Sequence, residues 1–287
     1  MKVQIISPSK CIEPNLIDDA KKFLESKEME VVVSNFAKNS DNYFSGTFEQ
    51  RKNDFQEAID SDADVIWTSR GGYGLIQYID QLNFDSFQSS PKLLVGFSDV
   101  TVAHLRLNQL GFKSIHGTVP LNFKNVTAES LQSIFNVFNG KGNTYIINPS
   151  EYNILGRTEA EVIGGNLAII YSMLGTSYLP DFKSKLLFIE DIGEALYAID
   201  RMMNALRLNG VLDQISGLIV GGFTSVGDSI PKYGECLEEI ISKYLKHREI
   251  PVCFNFPAGH QEDNRAIVLG ANAEFVVKEN EVVFKQI

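Results

Sequence analysis

The chain has 287 residues, enough for about two domains at roughly 150 residues each, and 44% hydrophobic with 22% charged residues is the balance of an ordinary globular protein. Fibres, disordered chains and short disulfide scaffolds are excluded. The 26 Lys and Arg against 36 Asp and Glu leave a net charge of −10, which argues against a surface built to track nucleic-acid phosphates.

At the start of the chain, Met1 to Pro8 carries one Lys and an apolar run too short for a signal-peptide core. No later uncharged apolar stretch reaches the roughly 18 residues that span a bilayer, so a soluble cytoplasmic protein without membrane contact is expected. Between Val3 and Gly140, short β-rich runs alternate with helical patterns, the order of a parallel sheet flanked by helices and hence an α/β first half. The runs 3–7, 29–33, 65–68, 92–96 and 114–116 are apolar enough to be strands buried on both faces. Leu16, Ile17, Ala20, Phe23 and Leu24 keep helical spacing, as do Leu131, Ile134, Phe135 and Phe138. Thr47-Phe48-Glu49-Gln50 reads as a capping box, and Gly111 and Gly140 as helix stops.

Between Gly140 and Glu161 the periodicity lapses into a polar stretch. The division expected is therefore a first domain at 1–142, a linker at 143–160 and a second domain at 161–287. That second half has helices at about 166–174, 195–208 and 233–246 and strand-like runs at 266–269, 275–277 and 282–284, the last two joined by a turn at 278–281. It reads as α+β or a small barrel. Cys11, Cys236 and Cys253 are odd in number, widely spaced and outside any C-x-x-C pair, so they read as reduced structural thiols rather than metal ligands.

Ligands of open parallel sheets bind at the carboxyl ends of the strands, and three strand ends carry chemistry. In Gly96-Phe97-Ser98-Asp99-Val100-Thr101 a serine sits on a tight strand-to-helix turn, where its hydroxyl projects into the cleft and the following N–H groups face an oxyanion. The second glycine of the usual elbow is missing, and in another reading Ser98 or Asp99 simply caps the helix. In Ser69-Arg70-Gly71-Gly72-Tyr73-Gly74 the glycines let backbone N–H groups approach a ligand, although a plain turn explains them too. The third segment, Leu187-Phe188-Ile189-Glu190-Asp191-Ile192-Gly193-Glu194, ends an apolar strand in carboxylates. Alternation sends Glu190 and Asp191 to opposite faces, so only one of them orients an imidazole, and Asp191 is expected to cap the helix near Glu194. His260 lies in a loop between two strand-like runs. His104, inside a helix, and His247, at a charged helix end, read as structural or solvated, while His116 ends a strand and could lie behind a site. Ser98, a His and a carboxylate on strand-end loops are what nucleophilic catalysis requires.

These segments, together with His116-Gly117, Gly164-Gly165-Asn166-Leu167 and Gly259-His260, occur in the order of the LD-carboxypeptidases of the serine peptidase type, a family that the chain resembles from its first strand to near the C-terminus. That family also includes the microcin C self-immunity peptidases. The resemblance implies a Rossmann-like N-terminal domain carrying the serine and a C-terminal α+β domain with a small β-barrel carrying the glutamate and histidine. It implies Ser98 as nucleophile, His260 as general base and Glu190 as its orienting carboxylate, with the N–H groups of Gly72 and Asp99 as oxyanion donors and Arg70 as candidate cation for the substrate carboxylate. The expected activity is metal-free, cofactor-free removal of the terminal D-alanine from cytoplasmic murein tetrapeptides through an acyl-enzyme, by a homodimer. Two alternatives stand beside it: a microcin-type peptidase acting on a peptidyl or aminoacyl nucleotide, and a non-catalytic small-molecule binding protein. A nucleotide-directed member needs stacking aromatics in a site loop, whereas Trp67, the only tryptophan, falls within a strand expected to be buried.

Overall fold

The computed structural model describes residues 1–286. Five strands, β1 (Lys2–Ile6), β2 (Glu30–Val33), β3 (Val65–Thr68), β4 (Leu93–Gly96) and β5 (Ser114–His116), form a parallel sheet in the order β5-β4-β3-β1-β2, close to the apolar runs that predict them. Helices α1 (Pro14–Glu25), α2 (Phe48–Asp60), α3 (Ser86–Ser89) and α4 (Thr101–Gln109) connect these strands, and α5 (Ala128–Phe138) follows β5. Local chemistry sets their ends. Pro14 opens α1, where a missing N–H costs nothing. Thr47 and Gln50 exchange both capping-box hydrogen bonds ahead of α2. Gly111 and Gly140 take up the left-handed backbone after α4 and α5, at φ +82° and +66°. Ile17, Ala20 and Leu24 of α1 and Phe55, Ala58 and Ile59 of α2 are buried against the sheet, each large side chain contributing roughly 1.5–3 kcal/mol of transfer free energy.

The second half contains β6 (Asn143–Ile147), β7 (Gly156–Asn166), α6 (Leu167–Met173), β8 (Leu186–Ile192), α7 (Leu196–Leu208), α8 (Val211–Gln214), β9 (Gly217–Thr224), α9 (Leu237–Lys243), β10 (Val252–Cys253), β11 (Ile267–Leu269), β12 (Asn272–Val277) and β13 (Val282–Gln286). Seven of these strands make a sheet in the order β10-β9-β8-β7-β12-β13-β6. From β7 to β10 the pairs are parallel, and from β7 through β12 and β13 to β6 they are antiparallel. Among the described residues no pairing joins its outer strands, β6 and β10. The polar stretch 143–160 holds β6 and the start of β7.

β11 leaves this sheet and pairs antiparallel with β5, Ile267 opposite His116, making the first sheet six-stranded. The two halves also meet where α4 lies on β7: the Thr101 hydroxyl accepts from Asn166 N (3.0 Å), and a Cβ on Gly165 would stand 2.5 Å from that oxygen. Val102 and Ala103 share one buried cluster there with Ile163 and Leu167. No helix among the described residues is long and apolar enough to cross a membrane.

Candidate active site

At the end of β4, Phe97 is extended (φ −157°) and Ser98 turns to φ +65°, the left-handed region that side-chain-bearing residues rarely adopt. Such strain costs on the order of 1–3 kcal/mol, and a sharp strand-to-helix turn is what projects a serine hydroxyl clear of the sheet. Gly96 makes the turn possible: a Cβ there would collide with Thr68 Oγ1 and stand 2.9 Å from both Val100 methyls. At the position of the second elbow glycine stands Val100, fully buried with both methyls against Gly96. Neither Ser98 nor Asp99 caps α4, whose N-cap is Val100 with no side-chain hydrogen bond. The Asp99 carboxylate is fully buried and turns back, its Oδ2 accepting from Ser9 Oγ (2.5 Å) and Leu75 N (3.0 Å). Burial raises it above the usual carboxylate range.

The glycine loop after β3 lies against this turn. A Cβ on Gly71 would sit 2.7 Å from Ser98 Cβ and 3.0 Å from Ser98 Oγ, so only glycine lets the backbone approach so closely. Gly72 (φ +122°) has Lys10 Cβ against it in the same way, at 2.6 Å. The N–H groups of Gly72 and Asp99 donate to no acceptor among the described residues. Half-buried Arg70 donates from Nη1 to Cys11 O (3.1 Å) and from Nε to Gly71 O (3.3 Å), and burial lowers its guanidinium below its ordinary value.

β8 delivers Glu190 fully buried, and the loop after β10 brings His260 onto it. Glu190 Oε2 accepts from both His260 N (3.1 Å) and His260 Nδ1 (2.6 Å), while Oε1 is buried without a partner. Glycine is again the enabling residue, since a Cβ on Gly259 would stand 2.7 Å from Glu190 Cβ. The loop is fixed by Gly259 N to Asn264 Oδ1 (2.8 Å), Thr224 Oγ1 to His260 O (2.9 Å), and Thr127 N to Glu262 O (3.0 Å) at the start of α5. Burial alone would lower the His260 pKa. The charge and hydrogen bond of Glu190, with a smaller contribution from Asp191, more than offset this and leave the imidazole above its usual 6.5. With Nδ1 committed to Glu190, Nε2 is the nitrogen free to take a proton. The Phe97 ring lies 4.8 Å from the imidazole ring, so the residue before Ser98 packs on His260. No hydrogen bond joins Ser98 Oγ to His260 Nε2, a contact that in unliganded enzymes is often long and tightens with substrate. Beside the imidazole is a cavity of about 260 Å³ lined in part by Phe97, Asn122, Ile192 and Glu262.

Asp191 does face away from His260, as alternation predicts, but it caps a different helix from the one expected. Its oxygens accept from Ala168 N, Asn166 Nδ2 and Ile192 N, each at 2.8 Å, so it caps α6; α7 begins after Ala195 with no side-chain cap. The reason is register: Asn166, the last residue of β7, pairs with Glu190, which puts the start of α6 beside Asp191. Burial lifts the Asp191 pKa to about 6. His104 is a structural histidine, bonded to Ser114 Oγ and Gly96 O (2.9 Å each) and pushed down to about 4 by burial. His247 is exposed, 3.9 Å from Asp213. His116 is buried between Phe97 and Phe188, and burial holds it well below its usual value. Sequence reasoning passed over Phe97, Ser9 and Asn264. Ser9 follows the first strand, so the strand-end rule that found Ser98 applies to it equally. Among the described residues no group of three or more His, Cys, Asp or Glu is arranged to hold a metal ion.

Comparison with known proteins matches residues 3–117 to the LD-carboxypeptidase N-terminal domain and residues 159–275 to the LD-carboxypeptidase C-terminal domain. A probable murein peptide carboxypeptidase of Bacillus subtilis (strain 168) is 29% identical, the match covering 99% of this chain and 91% of that protein. The murein tetrapeptide carboxypeptidase of Pseudomonas aeruginosa is also 29% identical, over 95% of this chain and 92% of its own. Among solved structures, a muramoyltetrapeptide carboxypeptidase from Oxalobacter formigenes superposes with a TM-score of 0.91 at 26% identity, covering 100% of this chain and 98% of that one.

Proposed function

The chain belongs to the LD-carboxypeptidase family, and from that premise we propose that it is a serine carboxypeptidase that hydrolyses the bond between an L-diamino acid and a terminal D-alanine in cytoplasmic murein tetrapeptides. The observation that carries the reading is the 2.6 Å contact of buried Glu190 with His260 Nδ1, next to a serine held at φ +65° on a strand-to-helix turn. In this reading the N-terminal unit supplies the nucleophile and the C-terminal unit its base and carboxylate. Ser98 Oγ attacks the scissile carbonyl as His260 Nε2 takes its proton, and Glu190 stabilises the resulting imidazolium. The unpartnered N–H groups of Gly72 and Asp99 receive the oxyanion, a term worth about 10² to 10³ in kcat per donor. The proton on His260 then passes to the D-alanine nitrogen as the C–N bond breaks. Water, deprotonated by the same imidazole, hydrolyses the acyl-enzyme. Arg70 flanks the loop as candidate cation for the leaving carboxylate.

Trp67 is fully buried with its indole donating to Thr118 O (2.9 Å), so it offers no face to a nucleobase; the exposed aromatics beside the glycine loop are Tyr43 and Tyr73. The test is direct. Purified protein with a tetrapeptide ending in L-lysyl- or diaminopimelyl-D-alanine should release free D-alanine, and no release from either substrate refutes the reading.

A further inference from the structure

Asp99 has a side chain that the reaction does not use, fully buried with Oδ2 accepting two hydrogen bonds and Oδ1 without a partner. We infer that the Asp99 carboxylate is a positioning residue that holds the Gly71–Gly72 loop in register with Ser98, and so sets the oxyanion site; this rests on the serine-hydrolase reading above. Three segments end at the same edge of the first sheet: the turn after β1 carrying Ser9, the glycine loop after β3 running into Leu75, and the Ser98 turn after β4. One buried oxygen, Asp99 Oδ2, accepts from the first (Ser9 Oγ, 2.5 Å) and the second (Leu75 N, 3.0 Å) while belonging to the third. Its main-chain N–H and that of Gly72 are the two proposed oxyanion donors, so this single carboxylate links the elements on which both donors stand.

The glycine loop has few other anchors. From residue 70 to 74 no backbone N–H is paired among the described residues, and the first main-chain donor after them that is held is Leu75 N, on Asp99. A second clamp works from below, where buried Arg51 Nη1 donates to Pro8 O and Gly74 O (3.4 Å each), tying the turn after β1 to the end of the glycine loop. With a Cβ-free Gly71 against Ser98 Oγ, a small slide of the loop changes the distance from nucleophile to oxyanion donor directly, and a displacement of about 1 Å can cost about 10² in rate.

The experiment measures two rates in parallel for wild type, Asp99→Ala, Asp99→Asn, Ser9→Ala and the double variant Ser9→Ala with Asp99→Ala: steady-state hydrolysis of a tetrapeptide ending in L-lysyl-D-alanine, and phosphonylation of Ser98 by a fluorophosphonate, in which Oγ displaces fluoride and its proton goes to His260. Asp99→Ala should lower kcat by about 10² with KM changed less than about threefold, and slow labelling by a similar factor. Asp99→Asn keeps an acceptor and should recover at least a tenfold part of both losses. Ser9→Ala, a milder lesion that leaves Leu75 N bonded, should lower both rates modestly and add nothing in the Asp99→Ala background. Asp99→Ala with kcat and labelling within threefold of wild type overturns the inference, and so does a loss confined to KM. If Asp99→Ala does not fold, Asp99→Asn and Ser9→Ala decide, and wild-type rates of both hydrolysis and labelling in the two variants overturn the inference. Should wild type label at Ser98 without cleaving the peptide, the substrate reading has failed, and the labelling series still tests Asp99.

Discussion

Replacing Ser98 with Ala removes one partly exposed oxygen and no core volume, so the variant should fold with an unfolding midpoint near that of wild type and lose turnover by several orders of magnitude. Residual activity above about a tenth of wild type would take the nucleophile's role from Ser98. Glu190→Gln probes the other half of the site. The amide keeps an acceptor for His260 Nδ1 but no longer stabilises an imidazolium, and kcat should fall by roughly two to four orders of magnitude. The same change carries a pH signature. His260 must be neutral to accept the Ser98 proton, and its folded pKa is raised above 6.5 because Glu190 outweighs burial, so the acidic limb of kcat/KM should lie above 6.5 in wild type. Without the Glu190 charge, burial prevails and that limb should move to lower pH. A limb unmoved in Glu190→Gln would mean that another group titrates.

At the scale of elements, Asp191 separates stability from chemistry. Asp191→Asn should weaken the cap of α6 by about 1 kcal/mol while leaving kcat within a few-fold, and its effect should depend on pH. The folded-state pKa, about 6, exceeds the ordinary aspartate value of 3.8, so the folded protein binds the extra proton more tightly. This contribution is full below about 3.8 and is lost as pH rises through about 6. Wild type should therefore exceed Asp191→Asn in unfolding midpoint by more at pH 4 than at pH 7. Loss of catalysis in Asp191→Asn at unchanged stability, with Glu190→Gln still active, would shift the orienting carboxylate by one residue. The elements themselves were unevenly legible. β1, β3 and β4 announce themselves because a strand buried on both faces must be apolar throughout. β7 and β9 do not, because their glycines are imposed by neighbours outside the strand: a Cβ on Gly164 would overlap Phe188 O, and one on Gly221 would stand 2.5 Å from Ala258 O. A local pattern holds no trace of such contacts, and the start of β7 falls within the stretch that reads as linker. The candidate site residues stood out locally, since Ser98 and Glu190 each close a strand-end segment and His260 lies in a short loop between two strand-like runs. The Asp99 tether joins residues 90 apart in sequence and has no local pattern at all.

Taken whole, the molecule has no cluster of three or more metal-ligating side chains among its described residues, so in the proposed serine mechanism hydrolysis should survive exhaustive chelation. Loss of activity with recovery on added zinc would overturn the serine mechanism. The order in which Ser98 and the His260 loop come together follows from β11. The strand that pairs with β5 lies about 150 residues further along the chain, just beyond the His260 loop, and β5 is an unprotected edge until it arrives. During synthesis, at about 5–20 residues per second, the Ser98 turn is therefore translated on the order of ten seconds before His260, its proposed base. If Ser98 and His260 act as proposed, a nascent chain carries an inert serine until the segment bearing His260 has been made and β11 can seal the first sheet.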